Sequence, residues 1–266
     1  MVNDSKKGYI IAIVILSLII IALGGFIALG IMKQKEKEEE KETIINNTSI
    51  DLNSFFNISK TLDSFDKAFN NPKSPYVGYI YVPKRLEASK FDLGAAIYSS
   101  MALEMEKTNK VETIQEALVK TNFERIFGDN LKYKQTEVKT GDYYKVVTKE
   151  GEDPLKYYYH ILEEANPYAD KYLAFNYKTS LGEDQVIVNR RIVFAEYVKG
   201  TNGLLASINL YKDHTKQSKI GSVTARNGAI KANEILSKYA SKMKKYNYIF
   251  THEKGDNYSF YSIEAS

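Results

Sequence analysis

The sequence predicts an α+β fold behind a single transmembrane helix. Residues 9–32, YIIAIVILSLIIIALGGFIALGIM, form an apolar stretch without any charge. Patterns typical of helices dominate residues 61–127, and patterns typical of strands dominate the C-terminal half. Helices first, followed by a mostly antiparallel sheet with inserted helices, is an α+β layout.

The apolar stretch at 9–32 is long enough to cross a bilayer. Its 24 residues reach about 36 Å as a helix, and a hydrocarbon core is about 30 Å thick. A cleaved signal peptide is the alternative, because Lys6 and Lys7 precede the stretch and a small-x-small motif occurs at 28–30. The stretch is about twice as long as the apolar region of a signal peptide and continues past that motif. We therefore favour a retained anchor.

The residues beside the anchor indicate two opposite orientations. Four lysines within 33–42, against two in the N-terminal tail, favour a C-terminal domain inside the cell. Those four lysines alternate with glutamates, however, and a short basic tail before a long domain is typical of an uncleaved signal anchor. We therefore expect a cytoplasmic tail at 1–8, a charged stalk and linker at 33–60 and an extracytoplasmic domain at 61–266. The predicted location is the cell membrane.

Composition limits the classes of partner. The 266-residue chain has a net charge of +4 and no cysteine. So mild a charge does not indicate nucleic acid as a partner, and the lack of cysteine excludes disulfides. The partners that remain are the membrane, other envelope proteins and anionic wall polymer. The sequence does not indicate an oligomeric state.

Apolar residues at helical spacing predict five helices in the domain. These helices are expected at 62–69, 91–107, 111–127, 153–166 and 229–245. For the third, Asn109 lies three residues before Glu112 as in a capping box, and Gly128 indicates the end. For the fourth, the aromatic run at 157–159 leaves a strand open as an alternative.

Alternating and β-branched residues predict the strands. These strands are expected at 76–82, 143–149, 172–178, 186–198 and 204–211, with a closing hairpin over 246–260. Asn202-Gly203 joins the last two strands before the hairpin, and Asn-Gly is a strong hairpin signal. We expect neighbouring strands to pair in antiparallel fashion.

The closing hairpin resembles the ending of uncharacterised single-pass envelope proteins of low-GC Gram-positive bacteria. Those proteins finish in Y-x-Y-x-F, a turn and Y-x-F-x-S-[VI]-E. The matching residues here are Tyr246, Tyr248, Phe250, Tyr258, Phe260, Ser262, Ile263 and Glu264. The resemblance implies an extracytoplasmic nuclear-transport-factor-2-like or cystatin-like roll, in which a curved sheet wraps around helices. It bears on location more than on activity, because a fold does not fix a function.

Motifs for catalysis are incomplete. His160 with Glu163 and Glu164 would place two metal ligands on one helix face, but the inverzincin pattern needs a second histidine at 164. Ser64-x-x-Lys67 and the Lys-Thr-Gly at 139–141 match penicillin-binding motifs, but no S-x-N lies between them. Phosphate-binding glycine loops are absent from the sequence. We predict no catalytic residue, no metal ligand and no cofactor.

One surface feature predicts a contact. Four lysines follow one face of the predicted helix at 229–245, namely Lys231, Lys238, Lys242 and Lys245. Beside a membrane they would attract anionic headgroups or anionic wall polymer, at about 1 kcal/mol per lysine. A face that is simply solvated is the alternative.

These observations favour a membrane-anchored extracytoplasmic protein that acts by binding or scaffolding. The 21 tyrosines fall mostly at alternate strand positions and on helix faces, which packing explains. Two alternatives remain. One is an envelope hydrolase with an unrecognised site, and the other is a secreted protein if the N-terminal segment is cleaved.

Overall fold

The computed structural model describes residues 52–82, 84–104, 111–136, 138, 144–149, 156–161, 169–201, 203–252 and 257–266. The helices in these residues are α1 (Leu52–Phe69), α2 (Leu93–Ala102), α3 (Glu116–Phe127) and α4 (Ala232–Tyr239). The strands are β1 (Arg85–Glu87), β2 (Val111–Gln115), β3 (Tyr144–Lys149), β4 (Lys156–Ile161), β5 (Lys171–Leu181), β6 (Gln185–Lys199), β7 (Leu205–Tyr211), β8 (Lys219–Thr224), β9 (Lys244–His252) and β10 (Tyr258–Ala265). This arrangement confirms the α+β class.

The larger of the two sheets is organised around β6. Its strand order is β1-β10-β9-β6-β7-β8, and β5 pairs with β6 outside that path. One edge of β6 pairs first with β9 and then, beyond Ile192, with β7. The smaller sheet has the order β2-β4-β3. Every strand pair in the described residues is antiparallel, as predicted.

Helix α1 forms because its apolar residues recur at helical spacing. Ile58, Leu62, Phe65 and Phe69 are all buried, and the helix ends before Asn71-Pro72 as predicted. It begins at Leu52, inside the stretch predicted as linker. Asn and Ser, which are poor helix formers, obscured that earlier start in the sequence.

The main core lies between α1–α3 and the larger sheet and is rich in aromatic rings. Phe65 of α1 meets Phe260 of β10 edge to face, with ring centroids 4.9 Å apart. Tyr246, Tyr248 and Phe250 of β9 alternate into this core and are buried. The predicted closing hairpin is therefore confirmed, because alternation over these residues places one whole face of β9 inside.

A second core lies on the other face of β6. It is formed by Val193 and Ala195 of β6 with apolar residues of β7, β8 and α4. The C-terminal half of β6 is thus buried on both sides, since Ile192 and Phe194 belong to the main core. Strand β8 was not predicted from the sequence.

Three segments differ from their predicted secondary structure. Residues 76–82 form no strand but a 3-10 turn, Val77–Tyr79, flanked by prolines at 75 and 83. The predicted helix at 111–127 is a strand up to Gln115 and a helix only from Glu116. The predicted helix at 153–166 contains β4, so the strand alternative is correct there. The pairing of β4 with both β2 and β3 outweighs the helical spacing of its residues.

The predicted helix at 229–245 is much shorter. Helix α4 is followed by a 3-10 turn, Ala240–Lys242, and β9 already begins at Lys244. Pairing with β6, in which Lys244 lies opposite Ile192, recruits these last residues into the sheet. The lysines of the predicted stripe therefore do not share one helix.

Among the described residues, none of the helices combines the length and the apolar character that crossing a bilayer requires. The predicted tail and anchor, and the stalk up to residue 51, lie outside those residues.

Candidate functional site

A cavity of about 230 Å³ lies where α1, α3 and the start of β10 meet. Each lining side chain carries a polar group, and Glu124 and Arg125 are charged. The lining residues are Asn57, Glu124, Arg125, Asn257, Tyr258 and Ser259. A small concave site with polar groups of both donor and acceptor character is suited to binding a polar molecule.

Distant parts of the chain hold this cavity together. The side-chain amide of Asn57 on α1 donates to Oδ1 of Asn257 at 3.5 Å, across 200 residues of sequence. Just after α3, the amide of Asn130 donates to Oγ of Ser259 at 3.0 Å and to the carbonyl of Phe260 at 3.1 Å. These bonds hold the end of α3 against β10 on one side of the cavity.

Arg125 contributes a guanidinium group to the cavity, and two of its nitrogens lack a hydrogen-bond partner among the described residues. These two atoms, Nε and Nη2, are also shielded from solvent. Burial lowers the pKa of Arg125, and the nearby Glu104 carboxylate opposes that shift. Glu104 is in turn held by Nδ2 of Asn122 at 2.9 Å. A guanidinium stays charged in proteins, so the cavity presents a fixed positive charge.

A second charged cluster lies inside the domain, where an arginine and a carboxylate pair with each other. Arg190 of β6 donates to both oxygens of Asp66 on α1, with Nη1–Oδ1 at 3.0 Å and Nη2–Oδ2 at 2.6 Å. The Arg190 side chain is 3% exposed, and its guanidinium lies 5.0 Å from the centre of the Tyr248 ring. Burial by itself lowers the pKa of Arg190, but the Asp66 carboxylate and the Tyr248 side chain together raise it. This pair joins α1 to the sheet.

Buried tyrosines surround that pair and stay neutral. Burial raises the pKa of Tyr172 to about 12 and raises the pKa of Tyr246 and Tyr248 further. The Tyr172 hydroxyl lies 2.8 Å from Nδ1 of His214 and accepts the backbone N–H of His214 at 3.1 Å. These phenols pack the core and tie the loop after β7 to β5, which is a structural role.

A third cluster lies on the surface. Nζ of Lys216 contacts Asp170 at 2.8 Å and Glu196 at 2.6 Å. The other Glu196 oxygen accepts from Asn209 and Tyr211, both at 2.9 Å. Hydrogen bonds from Lys216 and Asn209 hold the pKa of Glu196 at about 2. Glu196 is therefore ionised and its oxygens already accept hydrogen bonds from Lys216, Asn209 and Tyr211, so this cluster has a structural role.

The four predicted lysines are exposed but occupy different elements. Lys231 precedes α4, Lys238 is in its last turn, Lys242 ends the 3-10 turn and Lys245 is in β9. Lys242 also donates to the carbonyl of Ile220 at 3.4 Å. The predicted contact with an anionic surface therefore stays a prediction, although its helical geometry is wrong.

The incomplete catalytic motifs find no support among the described residues. His160 is in β4, so the helix face that would have paired it with Glu164 does not exist at that residue. The Ser64 hydroxyl donates to the carbonyl of Thr61 at 2.8 Å, and Lys67 pairs with Asp63 at 3.1 Å. In the part of the chain that is described, no three His, Asp or Glu side chains are grouped as metal ligands would be.

Sequence reasoning missed Arg125 and the rest of the cavity. Arg125 lies two residues from both Phe123 and Phe127, on the side of α3 away from these buried rings, so the local pattern gives no sign that it is covered. Glu124 is its neighbour in α3, and the other lining residues come from the two ends of the domain, where no local motif connects them. Comparison of the chain with protein-family models, with curated proteins and with solved structures finds no match.

Proposed function

We propose that this chain is a single-pass membrane protein whose extracytoplasmic domain acts by binding, with the Arg125 cavity as its ligand site. The observation that carries the proposal is a charged guanidinium beside a cavity lined by polar side chains, with two donor nitrogens that have no hydrogen-bond partner among the described residues. A buried donor without a partner is costly, so a ligand that accepts those hydrogen bonds is bound favourably.

Binding fits the cavity better than catalysis does. Glu124 is the one carboxylate in the lining, and its side chain is 59% exposed and paired with Lys120. A catalytic nucleophile and its base need two side chains within hydrogen-bond reach of each other. Among the described residues, the lining offers no histidine and no second carboxylate that could pair with Glu124.

We further propose that the apolar stretch at 9–32 anchors the domain outside the cytoplasm. Its length and the absence of charge within it support an anchor, and Lys6 and Lys7 before it, with glutamates alternating with the lysines after it, support the outward direction. Residues 33–51 separate the stretch from α1, and this segment spans at most about 65 Å when fully extended. The cavity would then work close to the bilayer. The packing of α1–α3 on the larger sheet supports a nuclear-transport-factor-2-like or cystatin-like roll.

Protease protection in intact cells tests the location. We expect added protease to degrade the C-terminal domain in intact cells, because the domain faces outward. Lysed cells serve as the control for cleavage. A domain that is protected in intact cells and cleaved after lysis would place it in the cytoplasm.

Filling the cavity tests the ligand site. The full chain, in a neutral detergent, is titrated by calorimetry with acetate, N-acetylglycine, inorganic phosphate and glucose. We expect at least one of them to bind saturably, and Asn257→Trp to abolish that binding because the indole occupies the cavity. Asn176→Trp, on an exposed residue of β5, is the matched control. Equal binding by the Asn257→Trp variant would show that the cavity is not the site.

We also propose that the four lysines contact anionic polymer. Their exposure supports this contact, and the expected contribution is about 1 kcal/mol per lysine at low salt. Polyphosphate is the soluble probe. The double variant Lys238→Gln with Lys242→Gln should weaken binding, whereas Lys90→Gln with Lys178→Gln should not. An equal loss of polyphosphate affinity in both double variants would mean that net charge, and not the position of these lysines, determines binding.

A further inference from the structure

We infer that the cavity binds a carboxylate group, which Arg125 holds side-on through Nε and Nη2. This inference rests on the proposed binding function and specifies the chemistry of the ligand. Nε and Nη2 form one edge of the planar guanidinium, and their two N–H groups point in nearly parallel directions. That edge matches the two oxygens of a carboxylate in a bidentate pair.

Two other arginines of the chain show how a guanidinium and a carboxylate pair in this fold. Arg85 pairs with Glu264 at 3.0 Å, and Arg190 donates to both oxygens of Asp66. Each of these guanidinium groups has its carboxylate within the chain. At Arg125 both nitrogens of one edge have no hydrogen-bond partner in the described residues, and that edge belongs to a residue that lines a cavity. Glu104 acts on Arg125 through its charge, but no described residue accepts a hydrogen bond from that edge, so a carboxylate ligand would supply both acceptors.

The charges near Arg125 favour a carboxylate over a phosphate. Glu104 acts electrostatically on Arg125, and Glu124 lines the same cavity. The Glu104 carboxylate already acts on the same guanidinium, so one further negative charge is opposed less than the nearly two of a phosphate at neutral pH. The cavity volume of about 230 Å³ also limits the ligand to a small group.

The remaining lining defines what should lie next to the carboxylate. Asn57 and Asn257 present side-chain amides, which both donate and accept hydrogen bonds. The ring of Tyr258 offers an apolar face with a polar tip. An amide bonded close to the carboxylate satisfies these groups, so the ligand class is an acylated amino acid or the C-terminal end of a peptide.

Access to Arg125 requires a local rearrangement. Nε and Nη2 are covered in the structure, so the side chains over them or the Arg125 side chain itself must move when the ligand enters. Ordering and displacement of this kind reduce the net affinity. Acetate should therefore bind weakly, and N-acetylglycine, which adds the amide, should bind more tightly.

Arginine-selective ¹⁵N labelling provides a direct test. The chain has five arginines, so the full-length protein in neutral detergent gives at most five Nε–H signals. We expect N-acetylglycine to shift the Arg125 signal saturably at constant ionic strength, with chloride as the reference salt. The Arg190 and Arg191 signals, whose Nε atoms also have no hydrogen-bond partner in the described residues, are internal controls and should not move.

Two further comparisons separate the carboxylate from other ligands. Arg125→Lys keeps the charge but removes the two-nitrogen edge, and it should weaken N-acetylglycine binding about tenfold or more in calorimetry. Lys178→Gln, which removes an exposed charge from β5, should leave binding unchanged. N-acetylglycinamide, which lacks the carboxylate, should bind at least tenfold more weakly than N-acetylglycine.

The outcomes distinguish this inference from the proposed function. Equal binding of N-acetylglycinamide, tighter binding of phosphate, or full binding by Arg125→Lys would overturn the carboxylate assignment and leave the cavity as a binding site. A stationary Arg125 signal throughout the titration would also overturn it, even if Arg125→Lys failed to fold. Failure of every probe in the cavity-filling experiment would contradict the proposed function itself.

Discussion

Replacing Asp66 by Asn should destabilise the domain by about 3 kcal/mol. The substitution keeps the shape of the side chain but removes the charge that pairs with Arg190. Arg190 is 3% exposed, and its Nε atom already has no hydrogen-bond partner in the described residues, so its charge would be left buried without compensation. Breaking such a pair costs about 3–5 kcal/mol. The Asp66 side chain is 32% exposed, so water replaces part of the lost interaction and the lower value applies.

Urea unfolding of the full chain in neutral detergent, followed by circular dichroism, measures this loss. We expect a lower midpoint at an unchanged slope, because the same surface is exposed on unfolding. Asp63→Asn on the same helix is the matched control, since its pair with Lys67 is about half exposed and should contribute less than about 1 kcal/mol. The free energy of unfolding of the double variant Asp66→Leu with Arg190→Met should be within about 1 kcal/mol of that of the parent chain, because no buried charge is left unpaired.

Two results would refute this reasoning. A loss below about 1 kcal/mol for Asp66→Asn would mean that Arg190 finds another partner or reaches water. A double variant as unstable as the single one would mean that the shape of the two side chains, and not the unpaired charge, determines the loss.

Three further predictions concern other parts of the fold. Glu196, whose pKa the Lys216 ammonium helps to hold at about 2, stabilises the fold above pH 4.5, and this contribution is lost as the pH falls from 4.5 to 2. The free energy of unfolding in urea should therefore fall by about 1–2 kcal/mol less in the Glu196→Gln variant than in the parent chain over that pH range. An equal fall in both would contradict this role. Gly221→Ala would place Cβ 2.1 Å from Cε1 of Tyr239, so it should cost about 1–3 kcal/mol in thermal unfolding, with a smaller cost in a Tyr239→Leu background. Phe260→Ala should cost about 3–5 kcal/mol in urea unfolding because the ring is fully buried. A cost below about 1 kcal/mol would mean that the aromatic core closes over the gap.

The sequence predicts the elements whose state depends on their own pattern. The alternation of Tyr246, Tyr248 and Phe250 places β9 and its buried face correctly. The predicted strand at 186–198 is confirmed because β-branched and aromatic residues continue through β6 without a turn signal. In both cases the pattern and the final environment agree, so local reasoning suffices.

The sequence fails where distant pairing decides the state. The helical spacing at 153–166 is real, but β4 is held as a strand by partners on both sides. The cavity could not be predicted for the same reason, because Asn57 and Asn257 meet only when the ends of the domain come together. Arg125 was overlooked because an arginine in a helix is ordinarily solvated, and only the folded structure shows that part of it is covered.

The placement of the last two strands has a consequence for the order of folding. β9 and β10 are synthesised after the other described strands, yet they lie between β1 and β6 in the larger sheet. The main core, which needs Tyr248, Phe250 and Phe260, cannot close on a nascent chain until about residue 265 has emerged. Contacts of such long range make folding slow. Until then the apolar faces of α1–α3 stay uncovered, which exposes the nascent domain to aggregation.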